Sequence, residues 1–241
     1  MNPFFCRIGS KRLMASDIIS NFTTHMIYVE LFVGGGSIYW KKEPSMAEVI
    51  NDLDTSLIDG YKLIKKTPIT GFNDNLDTVE KIQKYTEIEH ISIQDKLTKK
   101  IIDLCNGFGS KEIENGKVWA PSNPYLKTKN ISNYKNRIHN TIILNEDYKK
   151  VINDYDTDVT FFYLDPPYEE SKKLYKHSSI DYEEMANILK NIKGKFCLSI
   201  NGSPYIRKVF KDFKIKEIEL KTYGHSNIGN KNRTELLIMN Y

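Results

Sequence analysis

Cysteine is scarce in this 241-residue chain: Cys6, Cys105 and Cys197 lie far apart and form no C-x-x-C pair. That usage argues against a zinc site or a disulfide framework and suits a reducing compartment. Long apolar runs are missing too. No uninterrupted stretch approaches the roughly 18 residues needed to span a bilayer, and the N-terminal MNPFFCRIGSKR lacks the apolar core of a signal peptide. Internal repeats and low-complexity segments are absent. The expectation is a soluble, cytoplasmic protein with no membrane partner.

What is present is ordinary in bulk and uneven in placement. The hydrophobic fraction of 40% and charged fraction of 27% suit one large globular domain, or one domain carrying an inserted lobe. The net charge is +4, and an excess of that same size sits between Lys111 and Arg137, where six basic residues face Glu112 and Glu114. Basic residues gathered in a segment rich in Tyr, Asn and Pro are compatible with a polyanionic partner. A lysine-rich solvated surface explains them equally well.

Hydrophobic patterning gives an alternation. MIYVELFV (26–33) reads as a buried strand ending at GGGS, followed by a helix across Ile38 to Lys42. AEVIND (47–52) reads as a strand and TSLIDGYKLIKK as an amphipathic helix capped by Asp54 or Thr55. The alternation lapses from about Thr67 to Asn140, where SIQDKLTKKIIDLCNGF is the one convincing helix before a long polar stretch. It resumes with TIILNEDYKKVI, VTFFYLDPPY, the helix YEEMANILKNI and the strand KFCLSING. SPYIRKVFKDF is a helix with Ser203 at its cap, and KIKEIEL and TELLIMNY close the chain as strands. The fold class expected is α/β, with a parallel sheet interrupted by an insertion.

Three strand ends carry chemistry, where parallel sheets bind ligands. Glycines directly after the first strand allow close approach of a ligand to the backbone. A dinucleotide fingerprint would need a third glycine where Tyr39 stands, so a standard NAD or FAD site is not expected. Asp52 ends the second strand, about 20 residues past the glycines, where an acid accepts both hydroxyls of a ribose. Asp52 or Asp54 would equally serve as a helix cap. The third end is Asp165-Pro166-Pro167-Tyr168. Each proline fixes its own backbone and restricts the residue before it, and two amide donors are lost. The product is a rigid, acceptor-rich ledge with an aromatic ring at its edge.

Such a ledge suits an exocyclic amine on a flat ring. The Asp165 carboxylate and Pro166 carbonyl each accept one N–H, while Tyr168 stacks on the ring face. The amine of adenine is a poor nucleophile because its lone pair is delocalised. Two acceptors favour a pyramidal nitrogen aimed at an electrophile, so the contribution is alignment and preorganised electrostatics, with no metal required.

DPPY with an upstream VELFVGGGS resembles the amino-group DNA methyltransferases, in the order and spacing of the Dam-type adenine class. The resemblance runs from FFCRIGSKR through NDLDTSLIDGY, NEDY and LDPPY to RTELLIMNY. It implies a Rossmann-like class I methyltransferase sheet with a C-terminal antiparallel hairpin, made of residues 1–66 and 141–241, which binds S-adenosyl-L-methionine. It also implies an inserted, mainly helical and loop target-recognition lobe at 67–140. Lys11 resembles the lysine that meets the cofactor's methionine carboxylate, and Phe32, Gly34 and Gly36 would line that end. Asp52 matches the ribose acid, Asp147 and Tyr148 the pair beside the cofactor's adenine, and Asp165 to Tyr168 the holder of the target base, Asp165 also facing the cofactor. Family members often carry an aromatic residue near Arg7, within a W-A-G-G-K-like block. Here the block is R-I-G-S-K, and Arg7 is expected to reach the cofactor or a phosphate.

The expected activity is site-specific transfer of a methyl group from S-adenosylmethionine to the N6 amine of adenine in double-stranded DNA, the base being flipped from the duplex. Within the lobe, Asn106, Lys111, Asn123, Tyr125, Lys127 and Arg137 are candidate DNA contacts, phosphates calling for cations and base edges for side chains such as Asn and Arg. Trp119 suits a DNA contact or a small core of the lobe. A homodimer and a cognate restriction endonuclease encoded nearby are further partners the resemblance allows. Methylation of adenine in RNA or of the cytosine amine, and a catalytically silent nucleic-acid-binding scaffold, are the competing readings. Abundant Lys, Asn and Ile fit an AT-rich genome, bacterial, phage or viral.

Overall fold

The computed structural model describes residues 1–5, 7, 9–68, 76, 79–105, 130–168, 180–220 and 233–241. In chain order the described elements are α1 (Ala15–Ile19), β1 (Ile27–Glu30), β2 (Ala47–Asn51), α2 (Thr55–Lys66), α3 (Val79–Glu87), α4 (Ile93–Cys105), α5 (Ile131–Ile138), β3 (Ile142–Leu144), α6 (Tyr148–Tyr155), β4 (Thr160–Leu164), α7 (Tyr182–Lys190), β5 (Lys195–Asn201), α8 (Pro204–Val209), β6 (Lys214–Leu220) and β7 (Arg233–Met239). They fall into two compact units. The first comprises Met1–Leu13, Val33–Pro44 and Asp54–Asn145, the second Met14–Phe32, Ser45–Leu53 and Glu146–Tyr241.

The second unit is a mixed α/β sheet. Strands β2, β1, β4 and β5 are parallel neighbours in that order, and β7 and then β6 continue it antiparallel, the C-terminal hairpin that the sequence predicts. All five residues of β4, TFFYL, are buried, as a central parallel strand requires when both of its faces are covered. Several polar groups in this core are paired. Tyr28 donates to Glu30 at 2.6 Å, and the Tyr163 and Ser199 hydroxyls share a 2.8 Å hydrogen bond. Burial pushes both phenols well above their ordinary range. Chain order switches at β1, which has β2 on one side and β4 on the other. Ligands of open α/β sheets gather at such a point.

In the first unit α2 is an amphipathic helix whose Leu57, Ile58, Tyr61 and Ile64 are buried. Asp54, not Thr55, caps it, accepting from the Leu57 amide at 3.1 Å. Helices α4 and α5 cover α2. The buried stripe of α2 needs a cover, and the helices that supply it come from the expected insertion. The helix expected from Ile38 to Lys42 is a run of turns, closed by Trp40 N–H to Gly36 C=O at 2.9 Å and Lys42 N–H to Ile38 C=O at 2.9 Å. Pro44 follows and holds Glu43 out of helical backbone, which stops its growth. Among the described residues, no helix is long and apolar enough to cross a membrane.

Candidate active site

The second unit brings four of the expected residues to the strand ends through one that was not expected. Asn51, the last residue of β2, is 1% exposed. Its amide nitrogen donates to the Leu31 carbonyl at 3.1 Å and the Glu146 carbonyl at 2.9 Å, and its oxygen accepts from the Glu146 amide at 2.9 Å. One side chain thus straps the exit of β1 to the turn that starts α6. Phe32 and Asp147 are the residues that follow the two strapped positions, and Asp52 follows Asn51 itself. Asp147 is exposed and caps α6, accepting from the Lys149 amide at 2.8 Å. Tyr148 is buried against Phe32, ring centroids 5.4 Å apart. Burial, and after it the Glu184 carboxylate, raises the Tyr148 phenol, so its hydroxyl stays protonated.

The Asp-Pro-Pro-Tyr segment leaves β4 beside the exit of β1. Glu30 and Tyr163 are partners in register, and Phe32 and Asp165 are each the second residue beyond that pair. Asp165 is half-buried and Pro166 buried. The segment is held at two points. The Tyr182 hydroxyl, at the start of α7, donates to the Pro167 carbonyl, and the Tyr168 hydroxyl donates to both oxygens of Glu235 at 2.8 and 3.0 Å. The Pro167 carbonyl is thereby engaged from within the protein.

The first unit builds the glycine loop. Gly34 and Gly36 have φ of +48° and +74°, the left-handed region that favours glycine. The Tyr61 hydroxyl donates to the Gly34 carbonyl at 2.8 Å, and the Gly36 amide to the Val33 carbonyl at 2.7 Å. A ring cluster supports the loop: Phe5 meets Tyr61 edge-on at 5.3 Å, and Trp40 stacks on Tyr61 at 6.0 Å. Ser10 and Ser37 share a 2.8 Å hydrogen bond that ties the Gly-Ser-Lys segment to the loop's end, and Lys11 beside it is 4% exposed. The Arg7 guanidinium is ion-paired with Asp54, the cap of α2.

The candidate DNA contacts are mostly beyond reach of the description. Asn106, Lys111, Asn123, Tyr125 and Lys127 lie outside the described residues, as does Trp119. Arg137 is described, half-buried on α5. Its guanidinium lies 4.2 Å from the centre of the Tyr39 ring and donates to the Tyr39 carbonyl at 3.0 Å.

Asn51, Tyr61, Tyr182 and Glu235 escaped sequence reasoning because each acts through a partner distant in the chain. The one available signal was Asn51 itself, a polar residue at the end of an apolar strand.

The model of the D12 class N6 adenine-specific DNA methyltransferases matches residues 8–106 and 103–223. The chain belongs to that family, and its reaction is adenine-specific DNA methylation. It is 28% identical to the Type II methyltransferase M1.LlaDCHI of Lactococcus lactis subsp. cremoris, over 100% of this chain and 96% of that one. It is 24% identical to the Type II methyltransferase M.CviBI of Paramecium bursaria Chlorella virus NC1A, over 89% of each. Among solved structures, a putative SAM-dependent methyltransferase from Streptococcus mutans gives a faint likeness, 13% identical over 98% of this chain and 50% of that one, with a TM-score of 0.43.

Proposed function

We propose that the chain methylates adenine at a specific sequence in double-stranded DNA, taking the methyl group from S-adenosylmethionine and holding the flipped base on the Asp165–Tyr168 ledge. The observation that carries this reading is the anchoring of that ledge, by Tyr182 and by Glu235, next to the exit of β1. When bound, S-adenosylmethionine supplies an electrophilic sulfonium methyl.

The residues present fit that molecule. Asp52, half-buried at the carboxyl end of β2, is placed to accept the ribose hydroxyls. Asp147 offers acceptors to an adenine edge, and Phe32 with Tyr148 offers apolar ring surface. In the first unit, Lys11 would suit the methionine carboxylate and Gly34 and Gly36 would let that end approach the backbone, while Arg7 is ion-paired with Asp54.

On the substrate side, Asp165 and the Pro166 carbonyl accept the two N–H bonds of the target amine and turn its lone pair toward the methyl carbon. Asp165 would face the positive charge that alkylation places on that nitrogen, and the surplus proton would leave past it to water. Tyr168 stacks on the base. Flipping costs a few kcal/mol, which ring stacking and the two hydrogen bonds offset. The basic segment from Lys111 to Arg137 would supply phosphate and base contacts. The relatives' designation as Type II methyltransferases supports site specificity and a cognate endonuclease as companion.

The test is labelled S-adenosylmethionine with unmodified DNA, followed by nucleoside mass spectrometry, with Asp165→Ala beside the wild type. Labelled N6-methyladenine that disappears in the variant, while donor binding stays within about twofold, is the expected result. Label absent from every DNA nucleoside, with donor binding intact, would overturn the reading in favour of an RNA substrate or a silent scaffold.

A further inference from the structure

Glu235 lies on β7 and is 4% exposed, followed by Leu236, Leu237 and Ile238, all fully buried. A carboxylate in such a place is costly unless hydrogen-bonded, and a leucine there would continue the apolar strand. Its carboxylate accepts from the Tyr168 hydroxyl, which sits 2.8 and 3.0 Å from its two oxygens and so divides one proton between them. We propose that Glu235 is a positioning residue for methyl transfer, fixing the plane and depth of the Tyr168 ring on which the target adenine stacks.

The inference rests on the role given to Tyr168 under the proposed function. A tyrosine ring turns about two side-chain torsions, and the backbone at Tyr168 follows two prolines that stiffen the chain up to it. Pinning the far end of the ring removes the freedom that remains. A phenylalanine would stack on a base equally well but would have to be ordered at each turnover. The two-point geometry therefore serves orientation, whose loss lowers the rate of the chemical step more than it weakens binding of either substrate. The register places Glu235 opposite Asn201 at the carboxyl end of β5. The anchor thus comes from the antiparallel hairpin, which gives that hairpin a task at the ledge.

The experiment is a double-substitution cycle read by steady-state kinetics. Glu235→Ala is expected to lower kcat by about 10- to 100-fold, with KM for S-adenosylmethionine within about twofold. Glu235→Gln keeps an acceptor oxygen and is expected to restore most of the rate. Tyr168→Phe should match Glu235→Ala, and the double variant should lose no more than the worse single one, because both remove the same anchor. Should Glu235→Ala fail to fold, Glu235→Gln and Tyr168→Phe close a cycle of their own. A readout free of activity accompanies it: carbon NMR of tyrosine labelled at the hydroxyl-bearing ring carbon, on the protein alone. The Tyr168 signal, assigned by its loss in Tyr168→Phe, should move in Glu235→Ala and less in Glu235→Gln. An unmoved signal, or rate losses that multiply in an active enzyme, overturns the positioning role while the proposed function stands. A folded wild type that transfers no methyl overturns both.

Discussion

The Tyr61 hydroxyl donates to the Gly34 carbonyl at 2.8 Å, so a side chain from the middle of α2 sets the direction of the first glycine of the loop. Tyr61→Phe removes that bond and keeps the ring that meets Phe5 and Trp40. One hydrogen bond of this kind contributes about 1 kcal/mol, so the melting temperature should fall by only a few degrees. Affinity for S-adenosylmethionine should drop several-fold, because the loop no longer starts in one conformation. Equilibrium dialysis with labelled donor, run beside a thermal melt, checks both. An unchanged affinity would mean that the carbonyl direction is fixed without Tyr61.

Two glycines of the same loop should respond differently to alanine. At Gly36, a Cβ would lie 2.8 Å from Trp40 and from the Tyr61 hydroxyl, on a backbone with φ of +74°. Trp40 is 1% exposed and has little room to yield, so overpacking adds about 2 kcal/mol to the roughly 1–2 kcal/mol of left-handed strain. At Gly34 a Cβ would meet no atom within 4 Å, and only the strain at φ of +48° remains. Gly36→Ala should therefore melt several degrees below Gly34→Ala, while the main defect of Gly34→Ala is in donor binding. Melting curves in the opposite order would contradict this packing.

Local patterning made most of the second unit legible. The strands at 27–30, 47–51, 160–164 and 195–201, and the helix that Ser203 caps, stand within a few residues of where β-branched runs and cap residues place them. The glycine run and the Asp-Pro-Pro-Tyr segment were legible because their backbone constraints are written in the residue types themselves. Helices α3 and α5 were not, since their apolar positions are few: α3 buries Ile82 and Tyr85, and α5 buries Ile131 and Ile138. The supports of the site were also hidden. A hydrogen bond from Tyr168 to Glu235 joins residues 67 apart, and a period or a cap signal says nothing about such a pair.

The acid limb of stability carries a signature of the first unit. Asp95 accepts from the Ser92 hydroxyl at 2.6 Å and from the Tyr85 hydroxyl at 2.7 Å. Those bonds, that from Ser92 first, hold its carboxyl below the ordinary value of 3.8. The folded value lies below the unfolded one, so the contribution is present above 3.8 and is lost as pH falls through the lower folded value. Asp95→Asn should thus melt below the wild type at neutral pH, and the gap should close as the pH is taken well under 3.8. A gap of constant size across that range would remove the carboxylate from the explanation.

Asn51 tests whether the cofactor side of the second unit hangs on one side chain. Alanine there removes three hydrogen bonds and leaves the Leu31 carbonyl and both backbone groups of Glu146 without the partner they have. Unsatisfied buried groups cost about 1–3 kcal/mol each, part of which water recovers at Glu146, so a net loss of about 3 kcal/mol is expected. For a chain of this size that lowers the melting temperature by about 10 °C. Asn51→Asp keeps the acceptor for the Glu146 amide but cannot donate to the two carbonyls, and it should lose nearly as much. Because Asp52 and Asp147 adjoin the strap, donor affinity measured by dialysis well below the new melting temperature should fall tenfold or more in both variants. Full affinity in a folded Asn51→Ala would show that Asp52 and Asp147 keep their positions without the strap, and that its role is confined to stability.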